Sequence, residues 1–270
     1  MALHRAVLRA YGSNTHYSNS KSGSAAAFEG ALFHYNARKF GATGNLDVTE
    51  ENENATRNAL FQMMKSGDVF YDIGAHGGVF TITAQRRVAG LKVYSFEPQP
   101  KELLLNLALN NLAQDRVFQV AVGDQAGTVR MTSDKRSSNH LSESGDLEVE
   151  CVRLDDFRAA KDLPPPTWIK IDIEGMELPA FKGFAKTLAE AQPVIICEIN
   201  HVFNRFGASL PDLIGFFKAL DYIVLANTAE GFTPANMAAT ELDDLGRSAD
   251  ENFWFVPNKD RSKFLNPAQS

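Results

Sequence analysis

The sequence has few of the features that mark secreted, membrane or nucleic-acid-binding proteins. Only two of its 270 residues are cysteines, Cys151 and Cys197, which is too few for a disulfide framework and favours reduced core thiols. No apolar run is long enough to span a bilayer, and Met1–Arg9 has too little apolar content for a secretory signal. A formal net charge of −6 argues against a phosphate backbone as partner. We therefore expect a cytoplasmic protein that binds neither membranes nor nucleic acids.

The composition is that of an ordinary globular protein, 44% hydrophobic and 22% charged, so one α/β domain with a modest extension fits the length. Residues 1–49 are rich in polar residues and glycine. We predict an N-terminal extension with irregular structure or short helices around Ala25–Lys39, either a poorly ordered arm or a lid over a substrate pocket. The main domain is predicted at 50–258 and a C-terminal tail at 259–270. The sequence leaves the oligomeric state open.

From residue 50 onward, predicted helices and strands alternate. Predicted strands at Val69–Ile73, Lys92–Phe96, Val117–Val122, Trp168–Ile173, Val194–Ile199, Tyr222–Ala226 and Asn252–Pro257 alternate with predicted helices at Glu50–Lys65, Phe80–Ala89, Pro100–Leu112, Leu178–Ala191 and Pro211–Leu220. This alternation predicts a doubly wound, Rossmann-like domain with a mostly parallel, seven-stranded sheet. The last two strands have no helix between them, which predicts an antiparallel edge. An inserted hairpin is predicted at about 128–153, with a polar loop at Ser133–Gly145.

The first predicted strand ends in a glycine-rich loop, Asp72–Gly78. Glycines let the backbone turn tightly and approach a ligand, and ligands of such sheets bind at the carboxyl ends of the strands. In a dinucleotide fingerprint the second glycine lies against the pyrophosphate, but His76 occupies that position here. An acidic residue followed by spaced glycines suits the methionine and ribose parts of S-adenosylmethionine better. A dinucleotide site and a glycine turn without a ligand both stay open.

Acidic residues also follow the next two predicted strands. Glu97, held between Phe96 and Pro98, could accept both ribose hydroxyls of a nucleoside. Asp124 could reach an adenine amino group, although Gly-Asp is also a common turn. The predicted cofactor-binding residues are Asp72, Gly74, Ala75, His76, Gly77, Gly78, Phe96, Glu97, Pro98, Asp124 and Asp172.

The fourth predicted strand carries carboxylates that could form a catalytic site. Asp172 and Glu174 would share a face, and crowded carboxylates have raised proton affinity, which suits a general base. Glu177 is interpreted as a helix-capping or packing residue, a reading that also stays open for Glu174. The fifth strand would place Glu198 next to Asp172.

Two further interpretations concern the same cluster. Oxygen ligands from Asp172, Glu198 and Asn200 could hold a divalent metal, but direct binding of a polar substrate is favoured and no metal is assigned. His201 is included among the catalytic candidates with Asp172, Glu174 and Glu198, and His140 ranks with it as a weaker candidate for the base.

These segments together resemble the motifs of FkbM-type methyltransferases. The matching motifs, in order, are Asp72–Gly78, Phe96–Pro100, Val152–Asp156, Ile169–Glu177 and Pro193–Glu198, with Asn252–Pro257 similar to the closing strand of that family. The resemblance covers roughly residues 66–258, which makes 50–258 the expected methyltransferase domain. It implies a class I methyltransferase fold, S-adenosylmethionine as cofactor and O-methylation of a hydroxyl on a sugar or natural product. The family often has Asn where this sequence has His76.

The expected reaction is an in-line displacement, with a small-molecule hydroxyl as acceptor. Asp172, with Glu174 or Glu198 nearby, is expected to receive or orient the proton of that hydroxyl. An N-methyltransferase stays open, because an amine must also be neutral to react. A nicotinamide-dependent oxidoreductase and a non-catalytic nucleotide-binding module stay open as well, although the sequence has no evident Tyr-x-x-x-Lys motif near the fourth strand to support the oxidoreductase. The identity of the acceptor is left open.

Overall fold

The computed structural model describes most of the chain, in separate ranges. These are residues 17–20, 23–28, 31–35, 51–132, 145–200, 202–228, 231–235 and 252–265. Nearly all of the predicted polar hairpin loop, with His140, and the candidate base His201 lie outside these described residues.

The secondary structure follows the expected alternation. The strands are β1 (Tyr17–Ser20), β2 (Gly23–Phe28), β3 (Ala31–Tyr35), β4 (Val69–Ile73), β5 (Lys92–Phe96), β6 (Val117–Phe118), β7 (Ala121–Val122), β8 (Gly127–Met131), β9 (Leu147–Val152), β10 (Trp168–Ile171), β11 (Val194–Glu198), β12 (Tyr222–Thr228), β13 (Gly231–Pro234) and β14 (Asn252–Pro257). The α-helices are α1 (Glu51–Met63), α2 (Val79–Arg87), α3 (Lys101–Leu109), α4 (Leu154–Ala160), α5 (Glu177–Gly183), α6 (Ala185–Ala191) and α7 (Leu210–Ala219). Short 3-10 helices lie at Phe203–Phe206 and Asn258–Lys263.

The centre of the fold is a sheet with the strand order β13-β12-β14-β11-β10-β4-β5-β6. The neighbours from β11 to β6 are parallel. β14 is antiparallel to both β11 and β12, and β13 is antiparallel to β12. The predicted doubly wound sheet with an antiparallel edge is confirmed. The sheet has eight strands rather than the expected seven, because Gly231–Pro234 pairs with β12 and forms an additional edge strand.

The predicted third strand, Val117–Val122, is divided into two pieces. The Val120 N–H donates to the Phe118 carbonyl two residues earlier, at 3.0 Å, and this tight turn redirects the chain. β6 therefore pairs with β5 in the central sheet, whereas β7 pairs with β9 in a separate sheet of order β7-β9-β8. β8 and β9 are antiparallel, so the predicted inserted hairpin is present.

Helices cover both faces of the central sheet, and alternate strand residues point to each face. On one face, Tyr71 and Ile169 pack with residues of α5 and α7, such as Phe181 and Phe217. On the other face, Phe70 and Ile196 pack with residues of α1 and α2. All five residues of β4 are buried, as expected for the central strand of a sheet covered on both sides. The strand ends, and not its faces, are therefore the places where a ligand can bind.

The N-terminal extension forms strands, and the expectation of irregular structure or short helices around Ala25–Lys39 is wrong for the described residues there. β1, β2 and β3 make an antiparallel sheet. β3 packs on the central domain, where Ala31 and Phe33 are buried with Ile82 and Leu103. Alanine-rich sequence favours helix, but this tertiary packing overrides local propensity.

A buried side chain ties this extension to the domain. Asn110, which follows α3, accepts a hydrogen bond from the Leu32 N–H at 2.9 Å and donates to the Leu32 carbonyl at 2.7 Å. Its side-chain nitrogen also donates to the Asn106 carbonyl at 2.8 Å. Neither contact with Leu32 has a local sequence signature, since the partners lie 78 residues apart.

The chain beyond β14 also packs on the domain. In the region predicted as a tail, Phe264 contacts Trp254 and Phe232, with ring centroids 6.1 and 5.1 Å apart, and Leu265 is buried. The tail therefore continues the core as far as residue 265. Within the ranges that the structure describes, no helix has both the length and the apolar character needed to cross a membrane.

Replacing Asn110 by Ala should detach the N-terminal sheet from α3. The substitution leaves the buried N–H and carbonyl of Leu32 without partners, so the free energy of unfolding should fall by about 1–3 kcal/mol. Urea unfolding measures this change. The control is Asn58→Ala, which removes an exposed hydrogen bond to Arg87 and should change stability by less than about 0.5 kcal/mol. Equal effects of the two substitutions would contradict the anchoring role.

Candidate active site

The glycine-rich loop Gly74–Gly78 joins β4 to α2 in an unusual backbone conformation. The φ angles of Gly74, His76 and Gly78 are all positive, at 81°, 46° and 85°. The N–H groups of Gly74 and Ala75 donate to the Phe96 carbonyl at 2.9 and 3.3 Å, which holds the loop to the end of β5. A Cβ on Gly74 would lie 1.9 Å from the backbone oxygen of Asp172. Only glycine fits there, so the loop lies directly against the chain that leaves β10.

Glu97, which follows the neighbouring strand β5, binds the backbone of the loop. One carboxylate oxygen accepts from the His76 N–H and the other from the Gln99 N–H, both at 2.8 Å. On the other side, the Asn106 side chain donates to the Gly77 carbonyl at 2.8 Å. A carboxylate can accept about four hydrogen bonds, so Glu97 keeps capacity for a ligand at the mouth of the loop. The exposed His76 contributes its backbone N–H to this arrangement.

Asp72, predicted as a cofactor-binding residue, is buried between β4 and α2. Its carboxylate accepts a hydrogen bond from Thr81 at 2.5 Å, and the Thr81 hydroxyl lies 2.7 Å from that of Ser95. Burial raises the Asp72 pKa to about 6, opposed by the Thr81 hydrogen bond and by the Lys170 charge. The Asp72 side chain, which is 2% exposed, therefore links β4 to α2, the two elements that flank the loop.

Phe96, Pro98 and Asp124, which were also predicted to bind the cofactor, lie in three different surroundings. The Phe96 ring packs in the core, 5.2 Å from that of Tyr71, so Phe96 meets the loop only through its carbonyl. Pro98 is half-buried beyond β5. Asp124 is exposed beyond β7, where its charge adds to the effect of burial in raising the pKa of the Cys151 thiol.

The structure brings Asp172 and Glu198 together at the carboxyl ends of β10 and β11. Ile171 pairs with Cys197 in the parallel register, so the residues that follow are neighbours. Burial is the largest cause that raises the pKa of Asp172 to about 6 and that of Glu198 to about 7, and the negative charge of Asp172 is the second cause for Glu198. A pair of this kind can accept a proton near neutral pH.

The other two acidic residues of the motif lie in the turn after β10. Glu174 has a φ angle of 57°, and its carbonyl accepts from Arg205 at 3.3 Å, while its charge contributes to the raised pKa of Asp172. Glu177 is 2% exposed and accepts from the N–H groups of Ile173 and Gly175, at 3.1 and 3.2 Å. It therefore organises the turn, in agreement with its interpretation as a capping or packing residue.

The sequence reasoning missed Lys170, which lies on the same face as the carboxyl pair. Its ammonium is 3.9 Å from Asp172 and 3.6 Å from Glu198, and its side chain is 3% exposed. It also lies 5.4 Å from the centroid of the Phe80 ring. A lysine between Ile169 and Ile171 in an apolar strand is a sequence feature that could have revealed it, because lysines are rarely buried unless paired.

The sequence also offered Asp172, Glu198 and Asn200 as possible ligands for a divalent metal. Within the described ranges, no group of three or more His, Cys, Asp or Glu side chains is arranged to hold a metal ion. Asn200, a candidate metal ligand in the sequence, donates to Glu198 at 3.5 Å and accepts from the Val202 N–H at 3.0 Å. Asp172 and Glu198 thus lie beside the glycine-rich loop, with the Lys170 ammonium near both carboxyl groups and Asn200 hydrogen-bonded to Glu198.

The strand order and the glycine-rich loop define the class I methyltransferase type of α/β fold. A sequence profile described as the methyltransferase FkbM domain matches residues 72–224. The 31-O-demethyl-FK506 methyltransferase FkbM of Streptomyces tacrolimicus is 39% identical over 200 residues, which cover 60% of this chain and 75% of that protein. The chain therefore belongs to the FkbM methyltransferase family, a family of enzymes.

Two more distant relatives share less of their sequence with this chain. The hexuronic acid methyltransferase AglP of Haloferax volcanii is 22% identical over 142 residues, covering 51% of this chain and 58% of that protein. The crystal structure of a methyltransferase FkbM from Methylobacillus flagellatus has a TM-score of 0.45 and 18% identity, and the match covers 71% of this chain. The match spans 44% of that protein, so the chain corresponds to less than half of its length.

Replacing Gly74 by Ala should disrupt the contact between the loop and the Asp172 backbone. The added Cβ would overlap the Asp172 carbonyl, in a conformation that alanine rarely adopts. We expect a drop of several degrees in Tm, measured by thermal unfolding. Gly215→Ala is the matched control, because Gly215 lies in α7 with open space around its Cβ position, and alanine there should be neutral or stabilising. An unchanged Tm for Gly74→Ala would contradict the close approach.

The buried Glu177 should make stability depend on pH. Burial raises its pKa to about 7, above its value in the unfolded chain, so its favourable contribution is fully present at low pH and is lost as pH rises through 7. In Glu177→Gln this loss is absent. The Tm of the variant relative to wild type should therefore rise between pH 5 and pH 8, with Glu190→Gln, an exposed position, as control. A Tm difference that is constant across this range would show that Glu177 does not titrate differently on folding.

Proposed function

We propose that this enzyme transfers the methyl group of S-adenosylmethionine to a hydroxyl of a sugar or natural-product small molecule. The observation that carries the proposal is the carboxyl pair Asp172–Glu198 next to the loop Gly74–Gly78, with Gly74 in contact with the Asp172 backbone. A site that binds a nucleoside and also accepts a proton suits a reaction in which a hydroxyl attacks and loses its proton.

The residues of the loop fit this cofactor. The turn at Gly74–Gly78 gives a ligand close access to the backbone at the carboxyl end of β4. Glu97 is oriented by the backbone of the loop itself and keeps acceptor capacity for the ribose hydroxyls. S-adenosylmethionine supplies an electrophilic methyl carbon attached to a positively charged sulfur. The loop and Glu97 would hold it, and the acceptor hydroxyl would lie on the side of Asp172.

A hydroxyl acceptor is favoured over an amine because of the carboxyl pair. A hydroxyl has to give up a proton as it is methylated, and Asp172 and Glu198 have pKa values near neutrality. The names of two relatives, a 31-O-demethyl-FK506 methyltransferase and a hexuronic acid methyltransferase, support a natural-product or sugar acceptor for this chain. Glu174, in the same turn, and His201 are the remaining candidates for the base and rank below Asp172 in this proposal.

Replacing Asp172 by Asn tests the proton-accepting role. The amide keeps the size of the side chain but cannot accept a proton, so turnover of a hydroxylated acceptor should fall by about 10²–10⁴-fold. Binding of S-adenosylhomocysteine, measured by calorimetry, should largely survive, because the loop and Glu97 are intact. Asp156→Asn, an exposed carboxylate paired with Arg153, is the control. Full turnover in Asp172→Asn would remove Asp172 from the mechanism.

Calorimetry with S-adenosylhomocysteine and an acceptor panel together distinguish the remaining alternatives to this proposal. A non-catalytic module would bind S-adenosylhomocysteine but would methylate no member of a broad acceptor panel. An N-methyltransferase would show turnover with amines in that panel and none with hydroxyls.

A further inference from the structure

We propose that Lys170 is a positioning residue for methyl transfer: its buried ammonium holds Asp172 and Glu198 as a pair with one shared proton, in which Asp172 is the open carboxylate that receives the proton of the acceptor. This inference deepens the proposed function and rests on it.

The position of Lys170 is fixed by the sheet. It lies in β10, paired with Asp72 of β4 on one side and Ile196 of β11 on the other. Side chains two residues apart on a strand share a face, so Lys170 lies beneath Asp172. Its ammonium is within 4 Å of both carboxyl groups, at 3.9 and 3.6 Å. One cation thus lies within salt-bridge distance of two acids.

The charges balance only if the pair holds a proton. Two negative carboxylates around one ammonium would leave an uncompensated negative charge beside Lys170 and Glu198, whose side chains are only 3% and 18% exposed, and such a charge is unfavourable where water is largely excluded. One shared proton makes the three groups neutral together.

The surroundings of the two acids differ in a way that places the proton on Glu198. Burial disfavours the ionised form more strongly for the less exposed carboxyl group, which is that of Glu198, and Glu198 accordingly has the higher pKa, about 7 against about 6 for Asp172. The Asp172 side chain is also more open, at 35% exposure against 18% for Glu198. Asp172 is therefore the group that an incoming hydroxyl can reach in its ionised form.

Further charged groups face the same cluster from each packed element. The Lys170 charge opposes the rise that burial causes in the pKa of Asp72 on β4 and in that of the Cys197 thiol on β11. From the turn and α5, Glu174 and Glu177 each raise the pKa of Asp172.

A second cation lies near this cluster. Arg57 of α1 lies 5.8 Å from the centroid of the Phe80 ring, which Lys170 also contacts. Among the described residues, Lys170 is nevertheless the cation that lies within salt-bridge distance of both acids.

Proton transfer from a hydroxyl acceptor accompanies the transfer of the methyl group. The acceptor oxygen forms a bond to the methyl carbon while the bond from that carbon to sulfur breaks and its electron pair stays on sulfur. The O–H electron pair stays on the acceptor oxygen, and the proton passes to Asp172. The shared proton remains on Glu198 throughout, and Lys170 keeps its own protons.

The test compares Lys170→Met with Lys170→Arg, and Lys182→Met at an exposed position of α5 is the control. Activity needs ionised Asp172, so it is lost as pH falls through the pKa of this group. Without the cation that pKa rises, and the acid limb of the kcat/KM profile should move to higher pH by about one to three pH units. Lys170→Arg should restore the wild-type midpoint.

A second readout is the carboxyl ¹³C NMR titration of protein labelled at its Asp residues, without cofactor. In Lys170→Met the titration midpoint of Asp172 should move to higher pH by the same amount as the kcat/KM profile.

The two readouts separate a positioning role from a structural one. A lower kcat in Lys170→Met with unmoved midpoints in both readouts would overturn the proposal, because this pattern indicates a structural role alone. If Lys170→Met fails to fold, the double variant Lys170→Met/Glu198→Gln removes one buried acid together with the cation. The Asp172 midpoint of the double variant should exceed that of the single variant Glu198→Gln, and equal midpoints would overturn the proposal.

The outcomes also separate this proposal from the proposed function. Absence of cofactor binding or turnover in the wild-type protein would refute the proposed function, whereas the NMR titration would still decide the role of Lys170.

Discussion

The close contact between Gly74 and the backbone of Asp172 is the constraint on which the rest of the site depends. It joins the loop that follows β4 to the turn that follows β10, so that the two ends of neighbouring parallel strands become one surface. Hydrogen bonds to the Phe96 carbonyl and to Glu97 fix the loop from the other side. A nucleoside bound by the loop, as we propose, would lie on the surface that also carries the carboxyl pair.

The protonation of the acidic side chains determines the chemistry that this surface can carry out. Asp72, Asp172, Glu177 and Glu198 are four acidic groups whose pKa values burial raises towards neutrality. Two of them have structural partners that explain their burial: Thr81 for Asp72, and the turn N–H groups for Glu177. The remaining two face each other and Lys170, and Asp172 is the more open. Burying acids destabilises a fold unless they are compensated, so a site that retains this pair gives up stability for proton affinity.

Much of this could be predicted from the sequence, because local pattern determines it. Strand–helix alternation predicted the central sheet, and the positions of Asp172 and Glu198 at the ends of adjacent strands predicted that they lie close together, whereas Asp124 lies apart from them. What could not be predicted depends on distant contacts. The alanines of β2 favour helix, yet β3 is held by Asn110, 78 residues from Leu32. The turn at Val120 and the additional strand β13 likewise arise from pairing that no short window of sequence encodes. The position of Lys170 in an apolar strand is visible in the sequence, but its proximity to Glu198 becomes apparent only when β10 and β11 are aligned.

The most direct test of a single combined site is hydrogen–deuterium exchange of the wild-type protein with and without S-adenosylhomocysteine. The loop Gly74–Gly78 and the turn at residues 172–176 touch through Gly74, so binding at the loop should slow amide exchange in both segments together, with the same dependence on ligand concentration. The largely exposed strand β8, which belongs to the separate sheet, should be unaffected. Protection confined to the loop, with unchanged exchange at residues 172–176, would contradict the account.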